Sequence, residues 1–275
     1  MFQHVFKTIV VGVDFSPYSQ LVVKQAQLLC RMWKAKLVCV HAIHDPVEYS
    51  PSLYMSFPNL LDQKSYEERI KKLYGLKLPD VKIFAKRGTP AALLQETARK
   101  YPKPLIVAGY KGQSKIAEFF FGSTAQMLAL KSKIPIWIHR GNKVIKPEKI
   151  LIPHDLSEQS NHSIDIVKKM SLSSPLSYEV FFVRQKAFPV LNYRTDIALT
   201  RRLLKKTQTK IKNLLKDYPR LPFVETTGEV TDKVVKHTKK FDILVMAHHN
   251  PTGLFSKSET ADLMKRVKTP IIVTH

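Results

Sequence analysis

Cysteine is nearly absent from this chain: Cys30 and Cys39 are the only two among 275 residues. So few cannot build a disulfide framework, and their spacing is not that of a metal site. Both lie in apolar periodic runs and are expected to be buried thiols. No uninterrupted apolar stretch reaches the ~20 residues that a membrane-spanning helix needs. The opening MFQHVFKTIVVGVDF runs straight into a strand pattern and lacks the layout of a signal peptide, so the expected location is the cytoplasm. Acidic residues are scarce, 22 against 45 Lys and Arg, for a formal net charge of +23. The excess is spread along the chain, with 22 basic and 9 acidic residues in 1–143 and 23 and 13 in 144–275. A solvated basic surface accounts for such a distribution. Attraction to nucleotides, nucleic acid or an anionic membrane surface is the functional alternative. No DNA- or RNA-reading motif accompanies the charge, which makes nucleic acid the minor reading. A Walker-type G-x4-G-K-[ST] phosphate loop is missing too.

Glycine is the other scarce residue, with nine in all, yet Gly109, Gly112 and Gly122 fall within fourteen residues of AGYKGQSKIAEFFFGSTA, Ala108–Ala125. Glycine permits positive φ and close approach of backbone to a ligand, so this concentration is a local demand. What remains is ordinary globular composition, 44% hydrophobic and 24% charged, enough to build a core.

The chain repeats itself. TIVVGVDFSPYS (Thr8–Ser19) aligns with KILIPHDLSEQS (Lys149–Ser160) at an offset of 141 residues, placing Asp14 on Asp155, Ser16 on Ser157 and Ser19 on Ser160. PLIVAG (Pro104–Gly109) matches DILVMAH (Asp242–His248), and KIPIWIHR (Lys133–Arg140) matches KTPIIVTH (Lys268–His275). Start, late middle and end recur in order, which indicates two domains, 1–143 and 144–275, joined through the polar GNKVIKPEK, Gly141–Lys149. In each copy short aliphatic runs alternate with longer amphipathic ones. In the first, the strands read TIVVGV, KLVCVHA, VKIFAK, PLIVAG and IPIWIH, with helices expected over Ser19–Trp33, Leu60–Tyr74, Pro90–Lys100 and Lys115–Lys131. Uniformly apolar strands suit a parallel sheet covered on both faces. The fold class is therefore α/β, two tandem open parallel sheets with helices on both faces, whose ligands sit beyond the carboxyl ends of the strands.

Gly109 and Gly112 end the fourth strand, with Gly122-Ser123 following in the spacing G-x2-G-x9-G-S. Bare backbone at a helix start there receives an anion through free N–H groups and the helix dipole, and Ser123 and Thr124 add hydroxyls. Asp14 ends the neighbouring first strand, where a carboxylate can accept from a ribose hydroxyl or an adenine amine. These residues, with the duplication, resemble the universal stress protein family over nearly the whole chain, in a tandem UspA-like form. The resemblance implies a Rossmann-like, adenine nucleotide alpha-hydrolase-like fold with five strands per domain in the order 3-2-1-4-5. It also implies that the glycine pattern marks the branch that binds ATP or another adenine nucleotide, with Mg²⁺ as a candidate companion. The positions carried over are Gly12, Val13, Asp14, Ala42, Gly109, Gly112, Gly122, Ser123 and Thr124. Lys111 and Lys115 lie near the expected phosphates. The resemblance further implies an intramolecular pseudo-dimer through the last strands, with a further homodimer as an option.

The second copy has lost the loop. In AHHNPTGLFSKSETADLMKR, His248 replaces Gly109, Pro251 stands opposite Gly112, and Lys257 or Ser258 falls near Gly122. Proline offers no N–H, so this copy is not expected to bind ATP in the family manner. With strands one and four adjacent, His154, Asp155, His248 and His249 are instead a candidate zinc set, against ordinary polar filling of a degenerate pocket. Three functional readings follow. The leading one is a regulatory, stress-response nucleotide binder. The others are a slow ATP hydrolase, for which no water-activating base is evident, and a ligand-free scaffold using its basic surface. His44–Glu68, rich in Tyr, Phe, Pro and Ser, is a candidate cover for the nucleotide or a plain surface loop.

Overall fold

A computed structural model describes residues 4–43, 63–76, 81–111, 122–185, 193–248 and 257–275. The N-terminal half runs β1 (Thr8–Val13), α1 (Pro17–Trp33), β2 (Lys36–Ile43), α2 (Gln63–Tyr74), β3 (Lys82–Arg87), α3 (Pro90–Arg99), β4 (Pro104–Gly109), α4 (Ser123–Lys131) and β5 (Ile136–His139). The C-terminal half repeats the series as β6 (Lys149–Pro153), α5 (Glu158–Ser171), β7 (Ser177–Arg184), α6 (Tyr193–Asp217), β8 (Phe223–Thr227), α7 (Val230–His237), β9 (Ile243–Ala247), α8 (Lys257–Arg266) and β10 (Ile271–Thr274). Helix α1 begins two residues earlier than its apolar period suggests, because Ser16 caps it by accepting from Ser19 N (3.0 Å) and Pro17 occupies its first turn. The helix expected over Lys115–Lys131 is seen from Ser123; residues 115–121, like 44–62 of the candidate cover, lie outside the described residues.

Each half has the strand order 3-2-1-4-5, with all pairings inside a half parallel. The two expected sheets are in fact one. β5 and β10 pair antiparallel, with Ile138 opposite Ile271 and Ile136 opposite Val273, and the ten strands run β3-β2-β1-β4-β5-β10-β9-β6-β7-β8. The physical reason is the edge. A last strand as buried as IWIH would otherwise expose a row of backbone N–H and C=O groups, and each last strand satisfies the other's. The outer edges are protected differently: β3 ends in Lys86 and Arg87, and β8 carries Glu225 followed by two threonines.

Alternating strand residues feed two apolar layers. Val11, Val13, Trp137, Ile150, Ile152 and Ile272 pack against α1 and α5 on one face. Val10, Ile106, Ile138, Leu151, Ile271 and Val273 face α3, α4, α7 and α8 on the other. Both layers cross the β5–β10 seam, so the halves share their core. The linker is docked as well: buried Gln25 of α1 donates to Ile145 O (2.8 Å) and accepts from Ile145 N (2.7 Å). Asp242 receives Glu148 N and Lys149 N as β6 begins. Cys30 and Cys39 are free buried thiols, and burial pushes both up to about 12. Among the described residues, no helix is long and apolar enough to cross a membrane.

Candidate functional site

The repeat is conserved at the level of hydrogen bonds. After β1, Asp14 Oδ1 accepts from Ser16 N (3.0 Å), Phe15 adopts φ 61°, and Ser16 caps α1. After β6, Asp155 Oδ1 accepts from Ser157 N (3.0 Å), Leu156 adopts φ 62°, and Ser157 caps α5 through Ser160 N (3.2 Å). The aspartate is therefore in both halves the anchor of a strand-to-helix turn whose middle residue is left-handed. The surroundings differ. Asp14 is half-buried and lines a cavity, whereas Asp155 is buried and its Oδ1 also receives the hydroxyls of Ser157 and Ser160.

That cavity, about 340 Å³, lies beyond the carboxyl ends of β1, β2 and β4. Gly12, Val13, Asp14, Ala42, Gly109, Gly122, Ser123 and Thr124 all line it; Gly112 lies outside the described residues. Pro90 and Leu94 of α3, with Val40 and Ala42, give it an apolar wall. The start of α4 gives it a polar one, since Gly122 caps that helix without a side-chain hydrogen bond. Helix starts leave N–H groups unsatisfied. The glycines serve close packing rather than positive φ. A Cβ on Gly109 would meet the Tyr18 ring at 3.0 Å and Lys111 O at 3.1 Å, and one on Gly122 would meet Tyr110 O at 3.0 Å. Gly122 N donates to that same Tyr110 carbonyl (2.7 Å), so the chain leaving β4 is pinned to the chain entering α4.

Several residues here were invisible as site residues in the sequence. Pro90 was legible only as a helix start and Leu94 only as an apolar helix position. His41 lines the cavity too and is oriented by a 2.8 Å hydrogen bond between its Nδ1 and Val13 O. Lys111, by contrast, was expected near the phosphates, and it reaches the cavity while its ammonium lies 5.2 Å over the Tyr18 ring and 5.5 Å over Tyr110. Arg140, at the end of β5, stacks 5.2 Å from Tyr110 and donates to Val267 O (2.6 Å) and to Met264 O, which ties the glycine-loop wall to the end of α8. No sequence signal marks that bridge, because it spans the two repeats.

In the C-terminal half His248 stands where Gly109 stands in the first. It is buried, its N–H donates to Thr274 O (2.8 Å), and its ring meets that of His275 edge-on at 5.9 Å. His154 does not fit a metal: its Nδ1 accepts from Leu156 N (3.0 Å) and its Nε2 faces Asn161 Oδ1 (3.1 Å), which leaves no lone pair for an ion. Burial holds its ring at about 4, neutral at ordinary pH. His249 lies outside the described residues, and among those described no three His, Cys, Asp or Glu side chains are grouped to hold an ion.

Comparison with known proteins gives a consistent picture. Residues 6–140 match the model of the universal stress protein family. A universal stress protein of Thermus aquaticus is 25% identical over 149 residues, 49% of this chain and 99% of that protein. A universal stress protein structure from Archaeoglobus fulgidus superposes with a TM-score of 0.68 at 13% identity, covering 99% of both chains. A putative one from Pseudomonas aeruginosa gives 0.66 at 10%, covering 98% of this chain and 93% of the other. At those identities the two structures speak for the fold alone.

Proposed function

From the premise that residues 6–140 belong to the universal stress protein family, we propose that the N-terminal lobe of this chain binds an adenine nucleotide and that the protein acts as a regulator. The observation that carries the proposal is convergence: every described position that the sequence selected for the nucleotide lines one cavity, beside a helix start that no side chain caps. In this reading the base enters between Gly12, Val40, Ala42 and Leu94, where small and apolar side chains leave a flat slot. Asp14 accepts from the ribose. The phosphates lie at the first turn of α4, where Ser123 and Thr124 supply hydroxyls and the helix N-terminus supplies N–H groups and a favourable dipole. Lys111, whose contacts among the described residues are cation–π contacts worth about 1 kcal/mol at an exposed site, would swing to the phosphates at small cost. Should Mg²⁺ accompany ATP, the Ser123 and Thr124 hydroxyls and Asp14 are the oxygen groups that would hold it; it would neutralise phosphate charge.

The C-terminal lobe is proposed to serve as a built-in partner rather than a second nucleotide site, because His248 fills the place that Gly109 leaves bare. Nucleotide occupancy would then be felt across the seam through Tyr110 and Arg140. The test is to denature the purified protein and identify any released small molecule by mass spectrometry, with crystals soaked in ATP as the companion. An adenine nucleotide released, or density against Gly122–Thr124, is the expected result. A crevice closed by side chains in soaked crystals would sink the reading.

A further inference from the structure

The two lobes differ most on the sheet face opposite the nucleotide cavity. In the N-terminal lobe the space between α1 and α2 is plugged by rings. Phe15 packs on His41 (4.5 Å between centroids), His41 stacks on Tyr66 (5.1 Å), and Arg69 lies 4.4 Å over Phe15. Tyr74 closes the plug by donating its hydroxyl to Ser19 Oγ (3.1 Å) and accepting from Phe15 N (2.9 Å). In the C-terminal lobe Leu156 stands for Phe15 and Phe182 for His41. Among the described side chains of α6, the counterpart of α2, none is a ring placed at the turn. Its hydrogen-bonding role there passes to His154, which takes the Leu156 N–H from within the strand end. Among the described residues no such plug is assembled, and a cavity of about 590 Å³ opens between the first turn of α5 and α6.

We infer that this cavity is a second small-molecule site, for a compound with one anionic group and an apolar body. Phe182 and Leu214 form an apolar floor, and Leu203, 51% exposed, extends it up the wall. Lys206 and Lys210, one helical turn apart on α6, bring two ammonium groups to the same wall. A carboxylate or sulfonate between them gains charge-assisted hydrogen bonds, while its organic part covers the exposed leucine. Glu158 and Asp217 also line the cavity. Their repulsion works against a polyphosphate, so the preference differs from that of the N-terminal cavity.

The test uses the full-length chain and the fluorescent monoanion anilinonaphthalene sulfonate. Saturable emission enhancement with one dye per chain is expected. Lys206→Glu with Lys210→Glu, both on exposed helix positions, should weaken it about tenfold, since lost charge-assisted bonds are worth about 1.4 kcal/mol or more. Thr207→Trp, which fills the space without changing charge, should abolish the same component, and neither variant should lower the melting midpoint appreciably. A signal indifferent to both substitutions places the dye elsewhere and overturns the inference, as does the absence of saturable binding.

Discussion

The N-terminal and C-terminal lobes share a turn, a strand order and a capping scheme, yet they open cavities on opposite faces of one sheet. The first opens where Gly109 and Gly122 allow backbone to pass close to backbone, and is plugged by aromatic rings on the other side. The second carries His248 in place of Gly109 and opens where, among the described residues, no stack of rings fills the space. Both lobes keep what folds the unit, namely the Asp-anchored turn and the serine cap, and they differ at a handful of positions around the two cavities.

That contrast can be broken or sharpened by substitution. The largest effect is expected at Gly122→Val, whose branched side chain would collide with the Tyr110 carbonyl. Nucleotide affinity should fall roughly a hundredfold, about 2.7 kcal/mol, whereas His248→Val in the other lobe should leave it unchanged; thermal shift with ATP reads both. Next is Arg140→Ala at the seam. Losing two buried hydrogen bonds from a cation should cost about 3 kcal/mol in denaturant unfolding, and the C-terminal lobe should unfold earlier than the N-terminal one.

The pH dependence is the third. Burial holds His139, His154 and His275 near 4, below the ordinary value of 6.5. The unfolded chain therefore binds protons that the folded one refuses, and stability should be full above about pH 6.5 and decline as the pH falls toward 4. Val13 occupies the place of His154 in the first lobe, so His154→Gln should flatten the decline by about 1 kcal/mol or more, and Val13 gives the N-terminal lobe no equivalent. The smallest effects are at the caps. Ser16→Ala and Ser157→Ala should each cost about 1 kcal/mol, and near-equal losses would confirm that the turn is the shared element.

The fold was legible because its signals are local and repeated. Aliphatic runs bounded by Ser-Pro, Thr-Pro and the 141-residue offset specify strands, helix starts and duplication without reference to distant contacts. The cavity-lining set was legible in part, since Gly109, Gly122 and Asp14 announce themselves by type and spacing. Leu94, which lines the cavity, and Tyr18 and Arg140, which stand behind its glycine wall, did not, because an apolar helix position, a half-buried tyrosine and one arginine among 45 basic residues carry no pattern until the chain is folded. The joining of the two sheets into one was implied by the family resemblance alone, because it is a property of how the last strands pair and not of their composition. Among the described residues the zinc set is not assembled, for a reason the sequence hides: the imidazole of His154 accepts from a backbone N–H whose counterpart Tyr74 takes in the other lobe.

The most direct measurement is isothermal titration of the full-length protein with ATP. The account predicts a single nucleotide per chain, with the heat lost in Gly122→Val and retained in Lys206→Glu with Lys210→Glu. Two equivalent sites per chain, or heat that survives Gly122→Val, would contradict it.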